Sequence, residues 1–164
     1  MPQFPPIPNW DGLHPLIVHF PVALLLIVPL FLVAGLIAPP VRHGLFVAAL
    51  MLMVAGTAGA YLAVETGEAA ARIADRTPEI NQMIERHSHL AETTRLLFTI
   101  LTGIWLVVLV AFYVRREKLT PRLGVAVVLL FLVLYSGATL YVANTAHLGG
   151  RLVHELGVRA QITP

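Results

Sequence analysis

Seven histidines are the chemistry-bearing residues of this sequence, and their placement is uneven. His14 and His19 open the first apolar run, His87 and His89 precede the third, and His147 and His154 follow the fourth. His43 stands apart beside Arg42. Imidazole is the commonest metal ligand and carries protons near neutral pH. Two chemistries fit such a set. A b-type haem between helices needs two axial imidazoles from different helices, with apolar walls around the ring. The candidate haem ligands are His14, His19, His87, His89, His147 and His154. A zinc or copper site needs three or four ligands converging at about 2.0–2.2 Å. His14, His19, His87, His89 and His147 are its candidates, with Glu92 beside His87 and His89. Ionisable groups at membrane depth are costly and mark functional sites, which singles out His19, set inside an apolar run ahead of Pro21. His87 stands out because it shares a helix face with Ile80, Ile84, Ala91, Thr94 and Phe98. The plain alternative is that these are interfacial or helix-end histidines, and that Glu65, Glu68 and Glu92 neutralise Arg72, Arg86 and Arg95 on solvated faces. No catalytic residue is assigned: there is no HExxH. The absence of cysteine excludes disulfides, thiolate metal sites and covalent c-type haem attachment.

The elements that carry these side chains follow from composition. Of 164 residues, 57% are hydrophobic and 12% charged, where a soluble domain carries about 25% charged residues. The mean hydropathy is +0.79. A soluble globular domain, a disordered chain and a nucleic-acid module are excluded. Four apolar stretches reach the roughly 20 residues that cross a bilayer: Leu13 to Ala38, Leu45 to Val64, Leu96 to Val114 and Leu123 to Ala143. They are continuous where a barrel strand would alternate. The expected fold class is all-α, a four-helix transmembrane bundle. An extended proline-rich lead-in covers residues 1–12, the helical domain 13–146, and an interfacial segment 147–164. No basic residue precedes the first run, so the lead-in does not read as a cleavable signal peptide.

Basic residues set the expected orientation. Arg42, Arg115, Arg116, Lys118 and Arg122 collect on one side against the single acid Glu117, which makes that side cytoplasmic. Both termini and all histidines but His43 then face outward, to the periplasm of a bacterial cytoplasmic membrane.

Several local features are legible. Pro21 and Pro29 remove backbone hydrogen bonds to the carbonyls of Ile17 and Leu25 and should bend the first helix. The freed Ile17 carbonyl is a candidate partner for an imidazole. Pro39–Pro40 ends the helix. Gly56, Gly59, Ala60 and Ala63 form a small-residue ridge that admits a neighbouring helix, and Gly137 is expected to do the same on the fourth span. Thr77, Pro78 and Glu79 read as an N-cap and first turn. The third helix would then run from Pro78 to Arg116, about 58 Å at roughly 1.5 Å per residue, against a hydrocarbon core of about 30 Å. The second helix is expected to continue through Glu65–Ala74. The result is an outward helical hairpin from helices two and three, closed by a turn near Asp75–Pro78. His147-Leu-Gly-Gly is expected to break the fourth helix ahead of a short segment at Arg151–Leu156.

The run Leu13-His14-Pro15-Leu16-Ile17-Val18-His19-Phe20-Pro21 resembles the opening of a bacterial four-span membrane family catalogued as domain of unknown function 2231. The end of the chain, Gly149-Gly150-Arg151-Leu152-Val153-His154-Glu155-Leu156-Gly157-Val158, resembles that family's closing GG-x-LVY-x-HGV pattern. Here His154 stands at the tyrosine position and Leu156 at the histidine position. Family members are sometimes fused to c-type cytochrome or Rieske-type domains, so the resemblance implies a redox setting at the outer membrane face.

The leading expectation is a b-type haem protein, with one or two haems near the outer face, passing electrons between quinol or a membrane oxidoreductase and a periplasmic cytochrome. The others are a cofactor-free structural subunit of a larger respiratory or photosynthetic complex, and a zinc or copper site. The lipid bilayer is a partner in every case, nucleic acid in none, and apolar faces on all four spans leave homo-oligomerisation open.

Overall fold

A computed structural model describes residues 7–75, 77–115 and 120–158. All regular structure among them is helical. The chain enters through a 3-10 turn, Trp10–Gly12, and a short helix α1, His14–Ile17. Helix α2 follows over His19–Ile37, then a 3-10 turn at Pro39–Val41 and α3 over Arg42–Ile73. Helix α4 spans Pro78–Val114 and α5 spans Pro121–His154. Four of these stretches are long and apolar enough to cross a membrane. Each long helix packs on its sequence neighbours, and α5 closes the ring against α2. This is an up-down-up-down bundle. The proline-rich residues 1–6, Arg76, the Arg116, Glu117 and Lys118 loop, and Arg159 with the residues after it lie outside the described residues.

The two prolines of the first span act differently. Helices α1 and α2 meet at Val18, which keeps right-handed helical angles (φ −58°, ψ −28°), next to the Ile17 carbonyl that Pro21 cannot serve. Pro29 lies inside α2 with no interruption. It leaves the Leu25 carbonyl without its i+4 donor, and the Tyr135 hydroxyl of α5 donates to that oxygen at 2.8 Å. A buried carbonyl is thereby satisfied across the bundle instead of along the helix.

The middle of the bundle is filled by aromatic and large aliphatic side chains. Trp105, Phe98 and Tyr135 are fully buried beside Leu25, Val28, Leu32 and Met53. Trp105 stacks on Phe131 with centroids 4.7 Å apart, meets Phe46 edge-on at 5.3 Å, and donates its indole N–H to the Phe46 carbonyl. Close approach of α2 to α3 depends on the small-residue ridge. A Cβ at Gly56 would come within 2.8 Å of Leu25, and one at Gly59 within 3.2 Å of Pro21. Gly35 does the same on α2, where a side chain would overlap the Phe46 ring. Gly137, expected to work this way on the last helix, is instead exposed with nothing near it.

The helix extensions are present at the other end. Helix α3 runs on to Ile73, and α4 begins at Pro78, where the Thr77 hydroxyl accepts from the Ile80 N–H at 3.2 Å. The 37 residues of α4 measure about 55 Å. Met83, Ile84 and Leu152, with Ile80, Leu148 and Val158 around them, make a second apolar cluster that joins these extensions to α5. The break expected at Gly149–Gly150 is not there: α5 continues to His154. Two glycines cost a helix roughly 2 kcal/mol relative to alanine, and the apolar contacts of Leu148 and Leu152 offset it. The stop comes at Gly157, whose φ of 68° is the left-handed conformation of a glycine cap. There the Val158 N–H returns to the Leu152 carbonyl at 2.9 Å.

Candidate cofactor site

Between the aromatic core and the second apolar cluster, small residues from α3, α4 and α5 face one another, with Pro21, Val22 and Leu25 of α2 completing the wall. Ala60, Ala63 and Gly67 of α3, Ala91 of α4 and Gly149 of α5 line a half-enclosed cavity of about 200 Å³. Its walls are overwhelmingly apolar, and two imidazoles enter it from different segments: His14 at the start of α1 and His87 on α4. Their ring centroids are 6.4 Å apart with planes at 88°.

Each ring is seated by the same construction. The His14 Nδ1–H donates to the Ala63 carbonyl at 2.8 Å, and the ring lies against Gly67, four residues further along α3. The His87 Nδ1–H donates to the Thr145 carbonyl at 3.1 Å, and the ring lies against Gly149, four residues further along α5. A Cβ at Gly67 would stand 3.0 Å from His14 Cε1, and one at Gly149 would stand 3.1 Å from His87 Cε1. The carbonyls fix the tautomer, because an acceptor at Nδ1 requires the proton there. Thr66 reinforces this at His14. Its hydroxyl donates to the Leu62 carbonyl at 2.8 Å, so its oxygen lone pairs face His14 Nδ1, 3.5 Å away. In both rings Nε2 is left as the unprotonated nitrogen.

The other histidines do not join this pair. His19, His89, His147 and His154 are exposed, as is His43. His19 is the first residue of α2, five positions beyond His14. The expected Ile17 carbonyl is not the partner of an imidazole here; His14 uses Ala63. His147 and His154 do lie on one continuous helix, contrary to the expected break, but on its exposed surface. No group of three or more His, Cys, Asp or Glu side chains converges among the described residues.

The carboxylates lie at the edges. Glu68 and Glu92 border the cavity, with Glu68 at 3.9 Å from Arg72. Arg95 lies over the Tyr61 ring at 4.9 Å, and Arg151 pairs with Glu155 at 2.7 Å. The sequence reading missed Gly67 as the seat of an imidazole, and it read Gly149 as a helix breaker. A glycine four residues after a buried carbonyl acceptor is the pattern both share, visible only once the partner is known.

Residues 11–161 match a family described as "Predicted membrane protein (DUF2231)". The chain belongs to this family. The match takes in both histidine seats and all four spans, so this DUF2231 chain carries its paired imidazoles within the matched region. No curated protein and no solved structure matches it.

Proposed function

We propose that this protein is a membrane-embedded b-type haem protein that transfers electrons, with His14 and His87 as the two axial ligands of one haem. The single observation behind this reading is the imidazole pair, two Nδ1-anchored rings from different helices facing one apolar cavity at 6.4 Å. A metal ion held by both imidazoles would lie about 2.0–2.1 Å from each ligating nitrogen, a span that rings with centroids 6.4 Å apart could bridge. The residues present fit the group. The cavity is half-enclosed, so a flat macrocycle enters edge-first between walls of alanine, glycine and valine. The backbone carbonyls at both Nδ1 atoms are the outer partners that orient such ligands and raise their basicity. Bound haem would supply a one-electron couple at the iron; the chain supplies the ligands, their orientation and a dry setting.

A bare zinc ion takes four ligands, and two imidazoles provide half of them, so haem is favoured over zinc or copper. The net-positive loops support a reading in which the histidine end faces the periplasm of a bacterial cytoplasmic membrane. Electrons would then pass between quinol or a membrane oxidoreductase and a periplasmic carrier.

The test is the absorption spectrum of the detergent-purified protein, made with ample haem, in its air-oxidised and dithionite-reduced states. A Soret band with a sharpened reduced α band is expected. His14→Ala and His87→Ala should each lose it or convert it to a weakly held form, while His19→Ala should leave haem content unchanged. A featureless visible spectrum overturns the proposal. Elemental analysis then separates a zinc or copper site from a structural subunit without cofactor.

A further inference from the structure

The two histidine seats have more in common than function requires of two arbitrary ligands. In each, the Nδ1–H is tied to a helix carbonyl and the Cε1 edge of the ring lies against the glycine one turn further along that helix. A hydrogen bond alone leaves an imidazole free to swing about its bonds to the backbone. Contact with a helix surface removes that freedom, and it does so only where no Cβ intervenes. A Cβ would stand 3.0 Å from the His14 ring at Gly67 and 3.1 Å from the His87 ring at Gly149, tighter than ordinary van der Waals contact, so a side chain at either position displaces the ring by a few tenths of an ångström. The neighbouring Gly150 has open space where its Cβ would be.

Resting on the haem reading above, we infer that Gly67 and Gly149 are positioning residues. They hold the His14 and His87 planes at right angles, the 88° observed, so that both imidazoles would stay in place to hold a haem iron. With both rings held toward a bound iron, an exogenous molecule such as carbon monoxide would have to displace an imidazole to bind, so the site would favour outer-sphere electron transfer. The perpendicular planes carry a separate signature. Parallel imidazoles split the iron d orbitals rhombically, whereas perpendicular ones leave two of them nearly degenerate. The oxidised protein then gives a low-spin signal of extreme anisotropy in electron paramagnetic resonance.

The experiment uses the full chain in its haem-loaded form. The oxidised protein is measured by electron paramagnetic resonance, and the dithionite-reduced protein is exposed to carbon monoxide. The wild type should give the highly anisotropic low-spin signal and no carbon monoxide shift of the Soret band. Gly149→Ala and Gly67→Ala should each retain haem through the undisturbed histidine while showing high-spin signal and a carbon monoxide-shifted Soret band. Gly150→Ala should match the wild type in both measurements. A haem-loaded wild type that is high-spin, binds carbon monoxide or shows an ordinary rhombic low-spin signal overturns this inference and leaves the haem reading intact. Absence of haem in the wild type overturns the haem reading itself. A folded, haem-loaded glycine variant that stays low-spin and shows no carbon monoxide shift also overturns the positioning role; should either variant not fold, the wild-type spectra still decide whether the two ring planes stand at right angles.

Discussion

The two halves of the bundle are made from the same four long helices, yet one is filled and the other is hollow. In the filled half, Trp105, Phe46, Phe131 and Tyr135 interlock and bury almost completely. In the histidine half, the inward positions are Ala60, Ala63, Gly67, Ala91 and Gly149, and space remains between the helices. Protein interiors pack like organic crystals, so neighbouring regions of one bundle should not differ this way by chance of composition. The difference lies in side-chain volume at inward positions, and the volume missing from the hollow half is where two imidazoles face each other. Packing holds the helices in the first region so that a space can be kept open in the second.

Filling the hollow half should have the largest effect. Ala91 lies one turn beyond His87 on the same face of α4 and lines the cavity. Ala91→Leu should abolish the haem spectrum while the helical circular dichroism and detergent monodispersity stay those of the wild type. Retention of full haem content would mean the cavity is not the binding space. Emptying the filled half should act on stability instead. Trp105→Ala removes a fully buried indole and its bond to Phe46; it should cost about 3–5 kcal/mol in reversible unfolding in mixed micelles.

A smaller effect probes the repair of Pro29. Tyr135→Phe leaves the Leu25 carbonyl buried without a donor and should cost about 1–3 kcal/mol. In a Pro29→Ala background the helix can supply that donor itself, so the same change should cost measurably less. An equal cost in both backgrounds would show that the tyrosine acts through packing. The smallest effect concerns Gly137, which faces away from both regions. Gly137→Ala should raise stability by no more than about 1 kcal/mol, through helix propensity alone, and leave the spectrum unchanged.

Much of the fold could be read from local chemistry. Thr77 and Pro78 start α4 because a hydroxyl acceptor and an N–H-free residue suit a helix N-terminus wherever it occurs. Gly56 and Gly59 admit α2 because adjacent helices in a bundle must approach somewhere, and small residues permit it. The glycines of α5 were harder. Gly149–Gly150 and Gly157 look alike in sequence, yet the first pair is helical and only the last stops the helix. Propensity favours a stop at both. The contacts of Leu148 and Leu152 with the second apolar cluster carry the helix past the first.

By itself the sequence determined that the chain has four apolar spans and belongs among membrane proteins, since length and hydropathy are properties of each segment alone. It also determined that six of the seven histidines flank the ends of spans one, three and four that share one side of an antiparallel bundle. Tertiary structure decided which of them meet. His14 and His87 are 73 positions apart, and their pairing depends on how far each helix is rotated about its axis and which neighbours it packs against. His19 stands five residues from His14, about 140° further round a helix at 3.6 residues per turn, so the two side chains leave it in different directions. No segment encodes its own rotation within the bundle; the packing of all four helices sets it.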